Sequence, residues 1–141
     1  MFFGTFHHNV DKKGRVFIPA KFREELGEEF IIALDISGKR CLCVYSNSEW
    51  EKLVAKIDEL PTTKSSVARR FLFANAFNVE VDSQGRILVP ANLREYAMLE
   101  DKASILGVSN KLEIWNSTMW SEETENNTPE AIAEVMAELG F

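Results

Sequence analysis

The chain repeats itself, and this repeat limits what it can fold into more than any other feature. Residues 10–24 read V-D-K-K-G-R-V-F-I-P-A-K-F-R-E, and residues 81–95 read V-D-S-Q-G-R-I-L-V-P-A-N-L-R-E. At this constant offset of 71, eight of fifteen positions are identical. The exchanges Val16/Ile87, Phe17/Leu88, Ile18/Val89 and Phe22/Leu93 keep apolar for apolar. The likeness then runs on with the offset drifting by one residue. Leu34-Asp35-Ile36-Ser37 faces Leu106-Gly107-Val108-Ser109, Leu42-Cys43-Val44-Tyr45 faces Leu112-Glu113-Ile114-Trp115, and Trp50 faces Trp120. A unit of roughly 40–45 residues is too small to bury a stable core alone. The two copies must share one core, which implies a pseudo-two-fold monomer and a symmetric oligomer.

Each copy reads locally as strand, hairpin, strand, short helix, strand, strand. Asp-x-x-Gly is a turn signal, because Asp bonds back to nearby amides and Gly accepts positive φ. Arg15 to Ile18 is a short β-branched, apolar strand, ended by Pro19, with Pro90 in the second copy. Ala20 to Leu26 spaces Phe22 and Leu26 as a helix does, with Gly27 as its stop. Phe30–Leu34 and Cys41–Tyr45 are two more strands around a turn at Ser37–Arg40. Between the copies, Ser48 to Leu60 places Trp50, Leu53, Val54, Ile57 and Leu60 at helical spacing, and Pro61 ends it. Val67 to Phe77 follows as a second helix, with Val67, Phe71 and Ala74 along its apolar stripe. Near the C-terminus, Thr128-Pro129-Glu130 starts a helix whose apolar face is Ile132, Val135, Met136 and Leu139, ending at Gly140. The fold class is α+β. The organisation is a first repeat over 5–47, a helical linker over 48–75, a second repeat over 76–119 and an acidic helical tail over 120–141.

Charge narrows the partners. The net charge is −6, which argues against a polycationic nucleic-acid coat. Yet the last 22 residues hold six of the 22 acidic residues and no Lys or Arg. Residues 1–119 therefore carry 16 acidic residues against all 16 basic ones, and are formally neutral. Such a protein could bind a polyanion only through a few placed arginines, used in several copies. No apolar run reaches the roughly 18 residues a membrane span needs. The start, Met1 to His8, has no basic region leading an apolar one, so a cytoplasmic location without membrane association is expected. Cys41 and Cys43 lie on one face of a strand, too tightly spaced for a mutual disulfide, and read as free thiols in a reducing compartment.

Arg15 and Arg86 follow the turn glycine in both copies, and Arg23 and Arg94 end both short helices. The planar guanidinium can bond two acceptors of a guanine edge, or a phosphate. A two-stranded ribbon fits the major groove. A second reading stays open: Asp11–Arg15 and Asp82–Arg86 could be internal pairs that lock the turns. Arg23 and Arg94 are also candidate DNA contacts, although Glu24 and Glu95 follow them and lean them to a structural role. Lys12, Lys13 and Lys21 are candidate phosphate contacts, replaced in the second copy by Ser83, Gln84 and Asn92. Asp11, Gly14, Asp82 and Gly85 shape the turns. Arg69 and Arg70 read as a solvated helix face.

A metal site built from His7, His8, Cys41 and Cys43 is not expected. Neighbouring histidines on a strand point apart, and C-x-C is not a zinc knuckle. No phosphate loop, nucleophile elbow or H-E-x-x-H occurs, and two histidines offer little for acid–base work. An enzyme is not expected, nor a cofactor.

The segment Phe3-Gly4-x-x-His7-x-x-x-Asp11-x-Lys13-Gly14-Arg15-x-x-x-Pro19, followed by Phe22-Arg23, resembles the start of the bacterial MraZ family. Asp82-x-x-Gly85-Arg86-x-x-x-Pro90-x-x-Leu93-Arg94-x-Tyr96-Ala97 is similar to its second motif, and Arg69-Arg70-x-x-Phe73-Ala74-x-Ala76 suits its linker. The resemblance runs to about residue 120. It implies two AbrB/SpoVT-like repeats forming a swapped-hairpin-like, double-psi-type barrel. It also implies a ring-shaped homo-oligomer that binds double-stranded DNA at direct repeats in its own promoter. The regulated genes would be the division and cell-wall cluster, with the protein nucleoid-associated in the cytoplasm. The family's D-x-x-x-R element, its DNA-reading part, maps to Asp11–Arg15 and Asp82–Arg86. The alternative is an antitoxin-like interaction module whose acidic tail wraps a protein partner.

Overall fold

The first strand of each repeat pairs not with its own turn partner but with the third strand of the other repeat. The structure, a computed structural model, describes residues 1–141. In it β1 (Phe2–Asn9) lies antiparallel to β7 (Lys102–Ser109), and β5 (Phe77–Glu80) to β3 (Glu29–Leu34). The fourth strands, β4 (Leu42–Tyr45) and β8 (Leu112–Asn116), pair with each other. The six-stranded sheet runs β1-β7-β8-β4-β3-β5, an order that reads the same backwards when the repeats are exchanged. The second strands, β2 (Arg15–Phe17) and β6 (Arg86–Leu88), form a separate two-stranded ribbon.

The registers fix a pseudo-two-fold axis. In the ribbon Val16 faces Ile87, its own equivalent, while Arg15 faces Leu88 and Phe17 faces Arg86. In the sheet Cys43 faces Glu113, again its equivalent. The axis passes through both pairs. The Asp-x-x-Gly turns close locally, with the Asp11 amide donating to the Arg15 carbonyl at 3.1 Å and the Asp82 amide to that of Arg86 at 2.8 Å, but pairing at the first turn goes no further than the bridge Val10–Val16. The expected hairpin is thus short, and the longer ladder of β2 runs across the axis to its twin β6.

This exchange makes one core from two half-cores. Val16, Ile18, Phe22, Phe30, Ile32, Leu42, Val44, Ile87, Val89, Leu93, Ile105, Leu112 and Ile114 are all but sealed from solvent and form one cluster. The short helices α1 (Ala20–Leu26) and α4 (Ala91–Tyr96) each start after proline; α1 inserts Phe22 and Leu26 into the core, and α4 inserts Leu93. Burying each such side chain contributes about 1.5–3 kcal/mol.

Two linker helices, α2 (Asn47–Asp58) and α3 (Thr62–Ala74), cover the opposite sheet face. Ser46 caps α2 by accepting from the Glu49 amide at 3.3 Å. Here one expectation is corrected. The stripe Val67, Phe71 and Ala74 faces outward, and α3 instead buries Leu72 against Ala33, Cys43 and Tyr45. Phe73 turns towards Trp50 of α2, with ring centres 5.7 Å apart. Periodicity shows which helix face is apolar, but the sheet contact sets the rotation. After β8, α5 (Ser117–Asn126) holds Trp120 against Trp115, 5.3 Å between rings. The last helix, α6 (Pro129–Ala137), buries none of its residues. No helix is long and apolar enough to cross a membrane.

Candidate nucleic-acid interface

The two turns are built alike to the atom. Asp11 Oδ1 accepts from the amides of Lys13 and Arg15 at 3.0 and 2.9 Å, and Asp82 Oδ1 from those of Gln84 and Arg86 at 2.9 and 3.0 Å. The Gly14 and Gly85 amides donate to the Asp11 and Asp82 carbonyls at 2.9 and 3.0 Å. Each aspartate's second oxygen then takes the Nε of its own arginine, 2.6 Å for Asp11–Arg15 and 3.1 Å for Asp82–Arg86. These bonds, led by the Arg15 and Arg86 amides, hold both carboxyls below the usual carboxylate range.

Both glycines have positive φ, 87° at Gly14 and 81° at Gly85, and both are buried beneath an arginine of the other repeat. A Cβ on Gly14 would overlap the Arg94 guanidinium. On Gly85 it would come within 2.8 Å of the Phe17 ring and 3.0 Å of Arg23. Arg94 donates to the carbonyls of Val89 at 2.5 Å and Lys13 at 3.3 Å. Arg23 stacks 5.4 Å over the Phe17 ring, and its buried Nε has no partner. The ladder also crosses between repeats here: the Ile18 amide donates to the Gly85 carbonyl and the Val89 amide to that of Gly14.

With Val16 and Ile87 turned inward, the ribbon's outer face is Arg15, Phe17, Arg86 and Leu88. The side chains of Arg15 and Arg86 remain 32% and 26% exposed. Each commits its Nε to aspartate, while the terminal nitrogens make no hydrogen bond within the chain. Arg86 Nη1 also stands 3.7 Å from Asp11 Oδ2, so both guanidinium groups flank one carboxylate beside the axis. The turn-locking pair and an available donor thus coexist, because aspartate takes the Nε of each guanidinium and leaves its terminal nitrogens without a hydrogen bond, Arg86 Nη1 being drawn only loosely to Asp11.

The surroundings are unequal. Lys12 and Lys13 are exposed at the first turn, and Lys21 stands exposed on α1 with its Nζ 4.2 Å from the Phe3 ring centre. The second turn instead adjoins a cleft of about 740 Å³ lined by Glu24, Glu28, Glu29, Glu80 and Asp82. The first turn is thus flanked by cations and the second by carboxylates.

At the sheet crossing of the axis lies a group that sequence reasoning missed. Lys111 Nζ stands 3.5 Å from Cys43 Sγ, 3.7 Å from Asp35 and 3.8 Å from Glu113. Asp35, Cys43 and Glu113 bring ligand atoms within 4.8 Å of one another, but the lysine ammonium already stands as their cation. Burial works against the charge on Lys111, but the neighbouring Cys43 sulfur and the Glu113 and Asp35 carboxylates outweigh it, so its pKa is raised. Hydrogen bonding to Cys43 and burial push the Cys41 thiol far up, which keeps it protonated and unreactive. The histidines stand elsewhere: His7 Nδ1 lies 2.8 Å from Ser104 Oγ, and His8 packs on Phe17. Only the pairing Cys43–Glu113 across the axis could have signalled this cluster, and the repeat alignment aligns those very positions.

Comparison with known proteins puts these motifs in a family. The family model described as "MraZ protein, putative antitoxin-like" matches residues 1–71 and again 72–138. "Transcriptional regulator MraZ" of Acetivibrio thermocellus is 51% identical over 145 residues, covering all of both chains. The protein of the same name from Alkaliphilus oremlandii is 49% identical, again over the whole of both chains. That of Thermoanaerobacter sp. (strain X514) is 47% identical over 99% of this chain and 96% of its own. Among solved structures, "The solution structure of PHS018 from pyrococcus horikoshii" aligns over 81% of this chain and 88% of its own. It does so at 16% identity and a TM-score of 0.34.

Proposed function

The chain belongs to the MraZ family, and from that membership we propose that it is a transcriptional regulator that reads DNA with the β2–β6 ribbon. The observation carrying this reading is the pair of partly exposed guanidinium groups on one outward face, each bonded to its own aspartate through Nε, with terminal nitrogens that make no hydrogen bond within the chain. Such a fork can take the O6 and N7 acceptors of guanine in a major groove wide enough for a two-stranded ribbon. Lys12 and Lys13 then contact phosphate beside the first turn, with Lys21 further along α1. Arg23 and Arg94 act behind the face, as supports under Gly85 and Gly14, rather than on the DNA. Asp11 and Asp82 aim the arginines.

The strand exchange supports a swapped-hairpin, AbrB-like reading of the fold, with the ribbon as the double-psi crossing. One subunit offers few charges, so affinity comes from several ribbons on a ring meeting successive direct repeats. The target is the promoter of the division and cell-wall cluster, and the protein works in the cytoplasm at the nucleoid. The relatives' name describes no catalyst, and the reading assigns no reaction to this chain.

Band shifts with DNA from upstream of the protein's own gene test this. Arg15→Ala and Arg86→Ala are expected to lose about 10–100-fold in affinity while staying folded, as each good bidentate contact carries about 1–3 kcal/mol. Unchanged binding in both variants rejects the site. The antitoxin-like reading, carried by the family's description, predicts instead a different protein bound to the acidic tail. Co-purification of one stoichiometric partner, lost on deleting residues 121–141 with DNA binding spared, would favour it.

A further inference from the structure

We propose that the outward face of α3 is the seat for α6 of a second copy, so that the subunits join head to tail. The proposal rests on the assembly part of the function proposed above and names the surfaces that make it.

Helix α6 is a well-formed helix with no cover. Thr128 caps it by accepting from the Ala131 amide at 3.1 Å, and Pro129 starts it. At spacings of three and four residues, Ile132, Val135, Met136 and Leu139 share one side, between 38% and 71% exposed. A nine-residue helix holds poorly in water unless its apolar face is packed. Helix α3 presents the matching surface. Val67 and Phe71 are 64% and 47% exposed on a side they share with Ala74, and Leu60 lies exposed just ahead of the helix.

Charge selects the pairing. Helix α3 carries Lys64, Arg69 and Arg70 and no acid, whereas α6 carries Glu130 and Glu134, with Glu138 just after it, and no base. Arg69 is committed to Asp58, but Lys64 and Arg70 have no ion-pair partner and flank the apolar stripe. At 100° per residue, Arg70 lies about 60° from Val67, as Glu138 does from Val135. Pairing α3 with α3 would set cations against cations, and α6 with α6 would set glutamates against glutamates. Only α3 with α6 joins apolar to apolar with opposite charge at the rim. Such a contact uses two different patches per subunit, so it propagates until the rotation closes it.

The test uses the full-length protein in two double variants, Val67→Glu/Phe71→Glu and Val135→Glu/Leu139→Glu, followed by light scattering and sedimentation. All four side chains point outward, so each variant is expected to keep its subunit core folded, losing only the helicity of an unpacked α6 and the part of the thermal stability that assembly adds. Wild type is expected to be a closed multimer and each variant a monomer. An equimolar mixture of the two variants is expected to give a 1:1 dimer, because one retains α6 and the other retains the seat. If wild type assembles and the variants assemble equally, or if the mixture stays monomeric, this interface is overturned while the ring reading stands. If wild type is itself a monomer, including one whose tail captures a different protein, both fall.

Discussion

The two Asp-x-x-Gly-Arg turns share a backbone but not an environment. Both aspartates bond the same two amides and both arginines spend Nε on the carboxylate. Around that common frame, Asp11 faces two guanidinium groups and Asp82 one. Arg94 finds two carbonyls over Gly14, whereas Arg23 leaves its Nε unpartnered over Gly85. Two lysines mark the first turn, and an acidic cleft borders the second. The frame is what duplication keeps, because each turn also supports the other repeat. The surroundings are free to diverge, and the divergence gives the ribbon a polarity that a strict two-fold would lack.

The largest effects should come from breaking the frame. Gly14→Ala and Gly85→Ala each force an L-residue to φ above 80° and drive a methyl into the opposing repeat. Backbone strain and overpacking together should cost about 2–4 kcal/mol in each, read by denaturant unfolding. The obstacles differ. The Arg94 guanidinium can swing away, whereas Phe17 is held by His8 and Arg23. Adding Arg94→Ala to Gly14→Ala should therefore cost clearly less than the two single losses together. Additive losses would show that Arg94 is not what Gly14 accommodates.

Next come the arginines under the glycines. Arg94→Met removes donors from the Val89 and Lys13 carbonyls and should cost about 1–3 kcal/mol. Arg23→Met keeps an apolar stem on Phe17 and removes an unpartnered buried nitrogen, so it should cost under about 1 kcal/mol. Equal losses would mean that the asymmetry is not energetic. Smaller again is a transplant of charge. Ser83→Lys/Gln84→Lys should steepen the fall of log affinity with log salt by about two, and Lys12→Ser/Lys13→Gln should flatten it by a similar amount. If the transplant leaves the slope alone, the second turn does not approach phosphate.

The repeat made much of this legible. Because Asp, Gly, Arg and Pro recur at one offset, the turns, the short helices and the paired arginines follow from local chemistry. Strand partners do not. Nothing within residues 2–17 says that β1 prefers β7 to β2, since both offer apolar, β-branched neighbours. The choice belongs to the core that two repeats bury together. Helix rotation was hidden for a related reason: Leu72 and Phe71 are both apolar, and only the sheet under α3 decides which one is covered. Asp35, Lys111 and Glu113 around Cys43 form no motif, because the pairing of β4 with β8 brings them together from distant parts of the chain.

The smallest effect is acid sensitivity, which separates the turns by sign and order. Both aspartate pKa values are depressed in the folded chain, first by the hydrogen bonds from Arg15 or Arg86 amides. A depressed carboxylate contributes stability that is present above its unfolded pKa of about 3.9 and is lost as pH falls through the folded value. Unfolding measured from pH 6 downward should show little difference between wild type and Asp11→Asn or Asp82→Asn in slope until about pH 5. Below that, wild type should lose stability faster than either variant, because asparagine has no proton to take up. Asp11→Asn should flatten the curve more, since Asp11 lies 2.6 Å from Arg15 Nε and 3.7 Å from Arg86 Nη1, while Asp82 meets Arg86 alone at 3.1 Å. Both groups are solvent-accessible, so the difference should shrink as salt is added. A flatter curve for Asp82→Asn than for Asp11→Asn would mean that the second arginine does not reach across the axis in solution, and that each turn titrates by itself.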